Sequence, residues 1–423
     1  MQPIARYLQR IFKLEQQELP QVLWSLLYVL ALFLAWYLLR PIRDEMGIAG
    51  GVRNLPWLFS ATLIATLALT PLFALAVRRL PRRRFIALSY RFFAANLIIF
   101  ALLLQFAPNS WQLWIGRVFF IWSSVFNLFV ISLFWSLMVD VFSGEQGKRL
   151  FGLLAAGATT GGILGAYTVA QWVDWLDSSG LLLIAIIFLE VALLAARRVL
   201  ALSQPAPVKN LRENNEQPIG GSLLSAFSHC IRSPYLIGIA LFMLLYSVTS
   251  TFLYYQQASI IELNFSERVE RTAFLAQMDL WTNALTLLLQ LFVSSRLLLS
   301  GGMVLTLGVL PLISVAGFVA LANNPNLTTL VIAQVARRVS NYAFAKPARE
   351  VLFTVLSRED RYKTKNLIDT AVYRAGDQIG SLSYAALIAL GFTLAQIPLV
   401  AVLLSLLWLG LSVWLGFRHQ KPQ

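Results

Sequence analysis

The chain has a single cysteine, two histidines and little charge of either sign, and each scarcity excludes a chemistry. Cys230 alone forms no disulfide within the chain, and His229 and His419 supply no cluster of soft metal ligands. No Gly-x-x-x-x-Gly-Lys-Ser/Thr loop is present, so the chain does not itself hydrolyse ATP, and no cofactor is expected. Residues 1–18 lack a cleavage site; Ile4, Tyr7, Leu8, Ile11 and Phe12 recur at helical spacing opposite Arg6, Arg10 and Lys13. That pattern predicts a short amphipathic helix on the cytoplasmic membrane face instead of a cleaved signal peptide. Long polar stretches are also missing, with the one exception of residues 202–222.

What fills the chain is apolar: 58% of its 423 residues are hydrophobic and 13% charged, a balance suited to a bilayer. Twelve apolar runs are each long enough to cross about 30 Å of hydrocarbon as a helix. They fall near residues 19–39, 55–77, 85–106, 111–141, 151–172, 180–196, 235–256, 272–295, 303–322, 327–356, 366–392 and 397–417. The net charge of +14 follows topology. Basic residues crowd alternate loops, in Arg78 to Arg84, Lys148 and Arg149, Arg197 to Arg212, Arg296 and Arg358 to Lys365, and at both termini. The remaining loops hold few. By the positive-inside rule the basic side is cytoplasmic, both termini lie inside, and nucleic acid is not the partner. The expected setting is a bacterial inner membrane, with lipids and a small organic solute as partners and a monomer as the assembly.

Residues 202–222 fall near the midpoint and carry Pro205, Pro207, Pro218, Gly220 and Gly221. They predict a cytoplasmic linker, 199–233, between six-helix bundles at 19–198 and 234–418, with a tail at 419–423. A shift of about 217 residues superposes Tyr37 on Tyr254, Arg79 on Arg296, Leu80 on Leu297 and Lys148 on Lys365. This all-α arrangement, twelve transmembrane helices in two pseudo-symmetric bundles, resembles the parallel repeat of major facilitator transporters. The basic loop Arg78-Arg79-Leu80-Pro81-Arg82-Arg83-Arg84 resembles the loop those proteins carry there, and simple orientation by charge explains it equally well. Gly157, Gly161 and Gly165 in the fifth run, and Gly376 and Gly380 in the eleventh, space small residues by four for close helix packing. In a rocking transporter the same faces offer a surface along which two halves slide.

Charge inside apolar runs is costly and marks candidate sites. The first run ends in Trp36-Tyr37-Leu38-Leu39-Arg40-Pro41-Ile42-Arg43-Asp44-Glu45, where Pro41 is expected to break or kink the helix and Asp44 and Glu45 read as interfacial. Arg117, Arg337, Arg338 and Arg374, with Asp279, Asp369 and Asp377, follow further along. Arg374 and Asp377 share a helix face, as a structural salt bridge or as an anion site beside a proton site. Asp279 lies on a stripe with Gln277, Asn283 and Gln290, and Trp36, Tyr254, Tyr255, Trp281 and Tyr373 are candidate aromatic lining.

Three blocks carry a closer resemblance. Residues 134–152, which include Asp140 and Glu145-Gln146-Gly147-Lys148-Arg149, are similar to the plastid and bacterial ATP/ADP translocase family, as are Tyr37 to Asp44 and Ala345 to Glu350 with Lys365 to Asp369. The resemblance implies a role in binding or coupling for Arg43, Glu145 and Lys148. The chain departs from that family at two places. Where nucleotide carriers place a glutamate and a lysine, residues 249–257 end in the uncharged Tyr254, Tyr255, Gln256 and Gln257; where they place Gly-Lys-Ser, it has Gly376-Asp377-Gln378. A lysine replaced by an aspartate reverses the local sign and disfavours a polyphosphate.

The sequence therefore predicts a divergent, non-nucleotide member: a secondary transporter, not an enzyme, moving an anionic or zwitterionic solute by alternating access. Tyr37, Arg40, Arg43, Arg117, Tyr254, Gln257, Arg338 and Arg374 are the candidate substrate residues. Asp279, Asp377, Asp369, Glu145 and Lys148 are those for proton coupling or gating. Alternatives are a nucleotide exchanger and a non-transporting receptor or assembly factor.

Overall fold

The computed structural model describes residues 18–203, 233–355, 364–365 and 367–419. Residues 1–17 of the expected amphipathic helix, most of the linker with His229 and Cys230, and residues 420–423 of the tail lie outside the described residues, as do the side chains of Glu145 and Lys148.

Helix is the answer to a solvent without hydrogen-bond partners, because it satisfies its backbone within each segment. The order is α1 (Leu19–Ala49), a 3-10 turn (Val52–Asn54), α2 (Leu55–Arg79), α3 (Arg82–Phe106), α4 (Asn109–Val141), α5 (Gly144–Leu202), α6 (Pro234–Asn264), α7 (Arg268–Phe292) and α8 (Ser294–Asn323). Then follow α9 (Leu327–Ser340), a π turn (Asn341–Ala345), α10 (Lys346–Leu352), a second π turn (Ile368–Val372), α11 (Tyr373–Ala389) and α12 (Ile397–His419). Among the described residues there is no strand.

Among the described residues eight stretches are long and apolar enough to cross a membrane by length and composition. The difference from twelve has a chemical origin. α5 holds two of the expected runs; Asp177, at φ 51°, breaks it where the loop between them was expected. α7 carries Arg268, Glu270, Arg271 and Asp279, α9 stops three residues after Arg337, and α11 has 17 residues. The chain is an all-α, multi-pass membrane protein.

Local chemistry sets several helix starts. Ser143 and Gln146 form a capping box at α5: Gln146 Oε1 accepts from the Ser143 N–H at 2.9 Å, and Ser143 Oγ accepts in return. Asn326 Oδ1 caps α9 by accepting from the Thr329 N–H at 2.8 Å. α1 contradicts the expected break at Pro41, since it runs through that residue to Ala49. Proline removes only its own N–H, and the 31-residue helix keeps enough bonds and packing on both sides to continue. The charged run after Tyr37 is therefore helical, with Asp44 and Glu45 buried and Arg40 and Arg43 half-buried.

The fold divides into two compact units, neither continuous in sequence. The first contains residues 18–50, 64–203 and 267–284 of the described chain, the second 51–63, 233–266 and 285–419. The first third of α2 thus belongs to the second unit, and most of α7 to the first.

In the first unit α1 packs along α5 through the glycine face. A Cβ on Gly161 would stand 2.4 Å from Leu30 O, and one on Gly165 2.6 Å from Leu34 O. The glycines face α1 within one unit, the close helix packing that their spacing predicts. Beside it, Tyr90 donates to the Tyr28 hydroxyl at 2.7 Å in the apolar core. Rings of α3 and α4 interlock, with Phe93 of α3 edge-on to Phe126 of α4 at 5.1 Å. In the second unit Gly376 and Gly380 bring α11 against Ser247 and Thr251 of α6. Gly416 of α12 meets the α8 backbone at Val304, and Trp408 and Phe242 fill the space between.

Candidate functional site

Each unit holds a cluster of the charged residues singled out above. In the first, Arg40 of α1 reaches Asp279 of α7 at 3.1 Å and Asp44, one turn on, at 3.9 Å. Arg43 NH1 donates to Asp44 Oδ1 at 3.1 Å while its guanidinium covers the Phe120 ring at 4.3 Å; its buried Nε has no hydrogen-bond acceptor. Tyr37 lies against Arg40, and its ring and Asn283 occupy the space left by the missing side chain of Gly162.

Glu45 is the surprise of this cluster. It reads from sequence as interfacial, yet it is 1% exposed and takes two parallel bonds, from Arg268 Nε and NH2, both at 3.0 Å. Asp44, at 5% exposure, is buried as well. The reason is the unbroken α1, which carries both carboxylates inside the fold instead of ending before them. Arg268 was not singled out from sequence, since nothing in the local pattern connects it to a residue 223 positions away. The one available signal was the cost of a buried carboxylate, which demands a partner of opposite charge.

The second cluster lies on α6, α9 and α11. Asp377 Oδ1 is 2.6 Å from Ser247 Oγ and 3.5 Å from Thr251 Oγ1, and Arg374 NH1 stands 3.5 Å from Oδ2. The i, i+3 pair expected from sequence is present, with Ser247 as the nearer partner. Arg337, 4% exposed, has only neutral acceptors among the described residues: Ser314 Oγ at 3.1 Å, Tyr246 O at 3.1 Å and Thr249 Oγ1 at 2.9 Å. Its guanidinium also faces the rings of Tyr246 and Trp408 at 5.4 and 6.0 Å. It lies about 15 Å along α9 from Leu327, half of a hydrocarbon thickness. Arg338, half-buried, follows it.

Gln257, buried, accepts from Gln334 Nε2 at 2.6 Å. Tyr254 packs edge-on against Phe59, and Gln378 donates to Ser60 at 2.7 Å, so residues 51–63 contribute to this unit's polar face. The π turn after α9 aims polar groups at the same region: Asn341 donates to the Tyr246 hydroxyl at 2.9 Å, and Tyr342 O accepts from Gln290 at 3.2 Å. Such turns often stand at functional positions, because the extra residue redirects side chains and frees carbonyls. Neither π turn was foreseen from sequence.

Other expected residues go elsewhere. Asp369 pairs with Arg349 at 3.6 Å, near the Lys365–Glu350 pair and away from Asp377 on its own segment. Arg117 lies over the Trp114 ring at 4.6 Å. Of the proposed aromatic lining, Trp36 is 8% exposed and packs on Phe126, whereas Trp281 is 59% exposed on the surface. Gln290 leaves the Asp279 stripe for its bond to Tyr342 O. At the basic-loop end of the first unit Glu18 accepts from Gln146 at 2.7 Å and Arg149 at 3.2 Å, and Arg82 pairs with Asp140.

Comparison with known proteins bears on the family and the fold. Residues 22–348 match the sequence model of the Major Facilitator Superfamily. ADP,ATP carrier protein 1 of Chlamydia trachomatis serovar D is 24% identical over 343 residues, covering 71% of this chain; the chain spans 64% of the carrier's length. Among solved structures, a POT family peptide transporter in an autoinhibited form superposes with a TM-score of 0.64 at 12% identity, covering 95% of this chain and 97% of its own. A variant of the nucleoside transporter NupG gives 0.62 at 13% identity, over 94% and 98%. At such identities the likeness is one of fold.

Proposed function

Because the chain belongs to the Major Facilitator Superfamily, a family of transporters, we propose that it carries a small anionic or zwitterionic organic solute across a bacterial inner membrane. Alternating access of its two halves, with both termini cytoplasmic, is the mechanism that fits the family. One observation carries the choice of solute, namely the charge balance of the two clusters. In the first unit Arg40, Arg43 and Arg268 are matched by Asp44, Glu45 and Asp279. In the second, Arg337 and Arg374 accompany Asp377. A positive surplus at membrane depth is costly, and an anionic group of the solute offsets it. Arg374, 26% exposed and using one of its N–H groups at a long distance, has the donor fork to receive a carboxylate or phosphate.

Thermal unfolding of the purified protein across a metabolite panel tests the reading, since a ligand of the folded state alone raises the melting temperature. Anionic members are expected to stabilise the wild type but not Arg374→Gln. Stabilisation by neutral sugars alone would remove the proposal.

Arg337 gives a second expected result. A buried charge held only by neutral groups costs stability, so Arg337→Met is expected to leave the melting temperature unchanged or raise it, within the ~1–4 kcal/mol seen when buried ionic groups become apolar. Ligand-induced stabilisation is expected to fall in the same variant. A clear loss of stability without any change in ligand response would make Arg337 a structural residue.

Nucleotide exchange is the second reading, favoured by the chlamydial carriers. Asp377 within Gly376-Asp377-Gln378 opposes it, because a carboxylate stands where polyphosphate binding calls for a cation. It predicts uptake of labelled ATP accelerated by unlabelled ADP inside the vesicle.

A further inference from the structure

The hydroxyl of Ser247 is in contact with more acceptors than it has protons. Its Oγ lies 2.8 Å from Tyr373 O and 2.6 Å from Asp377 Oδ1. A hydroxyl has one proton to donate and a backbone carbonyl has none, so with an ionised Asp377 only one of the two contacts is a hydrogen bond. With a proton on Asp377 both are satisfied: the carboxylic acid donates to Ser247 Oγ, and Ser247 donates to Tyr373 O. The position of Arg374 points the same way. An N–H group donating to an ionised carboxylate settles at about 2.7–2.9 Å, whereas Arg374 NH1 stands 3.5 Å from Asp377 Oδ2.

Packing holds this geometry in place. A Cβ on Gly376 would be 2.6 Å from Ser247 Cβ, and one on Gly380 2.9 Å from Thr251 Cβ, so α11 lies directly on the hydroxyls of α6. The ionisable groups facing the site are Arg374 and Tyr373 from its own segment, Tyr246 from α6 and Tyr342 from the π turn, with Arg337 of α9 beyond Tyr246. Among these described groups there is no second carboxylate.

We infer that Asp377 is a proton-binding site that competes with the carried anion for Arg374. The role of the anion rests on the transport reading above; the proton site stands on geometry alone. In the empty, ionised form Arg374 closes on Asp377 and Ser247 turns its proton to the carboxylate. When an anion takes Arg374, the carboxylate loses its counter-ion and binds a proton from water. The O–H bond of a hydronium ion breaks as the carboxylic O–H forms, leaving a water molecule, and Ser247 returns to Tyr373 O. The solute's negative charge replaces that of Asp377 at Arg374, so one proton travels with each negative charge held there. The substitution that weakens nucleotide binding thereby supplies a coupling device.

Infrared difference spectroscopy of the purified full-length protein tests the proton site without any solute. The expected result is a carboxylic-acid C=O band that is absent from the nearly isosteric Asp377→Asn and shifted in frequency by Ser247→Ala. In Arg374→Gln, which mimics an arginine taken by an anion, the band is expected to persist to a pH about one unit higher or more. Identical spectra for wild type and Asp377→Asn would overturn the site, and a band whose pH range Arg374→Gln leaves unmoved would overturn the competition.

Coupling is then read in proteoliposomes containing a trapped pH dye, with lactate, succinate, glycerol 3-phosphate and ATP as the external probes. An anion that enters is expected to acidify the lumen in wild type and not in Asp377→Asn. Entry without acidification would overturn the coupling. If none enters while the infrared band is present, the transport reading fails for these anions and the proton site is supported.

Discussion

Replacing Arg268 by alanine is expected to destabilise the protein by about 3–5 kcal/mol, the cost of leaving a buried carboxylate without its partner. Glu45 is 1% exposed and has both oxygens bonded by Arg268, so its charge loses both bonds once the guanidinium is gone, with Arg271 as the remaining nearby cation. The reverse change is milder. The Arg268 side chain is 43% exposed, and in Glu45→Gln it can turn to solvent, leaving a neutral amide in the buried position. The double variant Arg268→Ala with Glu45→Gln is expected to recover most of the loss, because the buried charge has been removed with its partner. Thermal melts of the four proteins in one detergent read the cycle. Equal losses for the two single variants would show that the burial of Glu45 is not the source of the effect.

Gly161→Ala is the second change with a large expected effect, a loss of about 3 kcal/mol, at the upper end of overpacking costs. The added Cβ would stand 2.4 Å from Leu30 O and 3.1 Å from Leu34 N, and both are backbone atoms of a helix that cannot yield locally. α1 would have to move as a whole, disturbing the rows of Tyr37 and Arg40 above it. Two neighbours serve as controls. At Gly157 a Cβ meets the side-chain ends of Val29 and Leu26, so a loss of about 1 kcal/mol is expected. At Gly152 nothing lies within 4 Å, and alanine is expected to be neutral or to gain a few tenths of a kcal/mol from its helix propensity. Size-exclusion profiles after graded heating order the three variants. A Gly161→Ala protein as stable as Gly152→Ala would mean that α1 and α5 do not approach as described.

These two predictions also mark what was readable in the sequence. The spacing of Gly157, Gly161 and Gly165 announces close helix packing, because a repeat of four keeps small residues on one face. It does not say which helix is packed against, and α1 is found only in three dimensions. The Arg374–Asp377 pair was legible for the same reason of local spacing. Arg40 and Asp279, 239 positions apart, were both marked as costly charges, yet neither pointed to the other. Glu45 was misread because the apolar run weakens at Arg40, and a charged stretch looks like a helix end when neighbouring chain is unseen. The π turns left no signal, since an inserted residue changes hydrogen bonding without changing composition.

By itself the sequence determined the solvent and the class of fold. A chain so apolar, punctuated by basic segments, has to place its apolar segments in lipid as helices, because lipid offers no partner for exposed backbone. It also determined where charge is held at a cost. Only the tertiary structure decided how that cost is met: Glu45 by Arg268, Asp279 by Arg40, and Arg337 by hydroxyls, a carbonyl and two ring faces. The physical reason is that burial of a charge fixes the need for a partner, while its identity depends on which helices pack together and at what register.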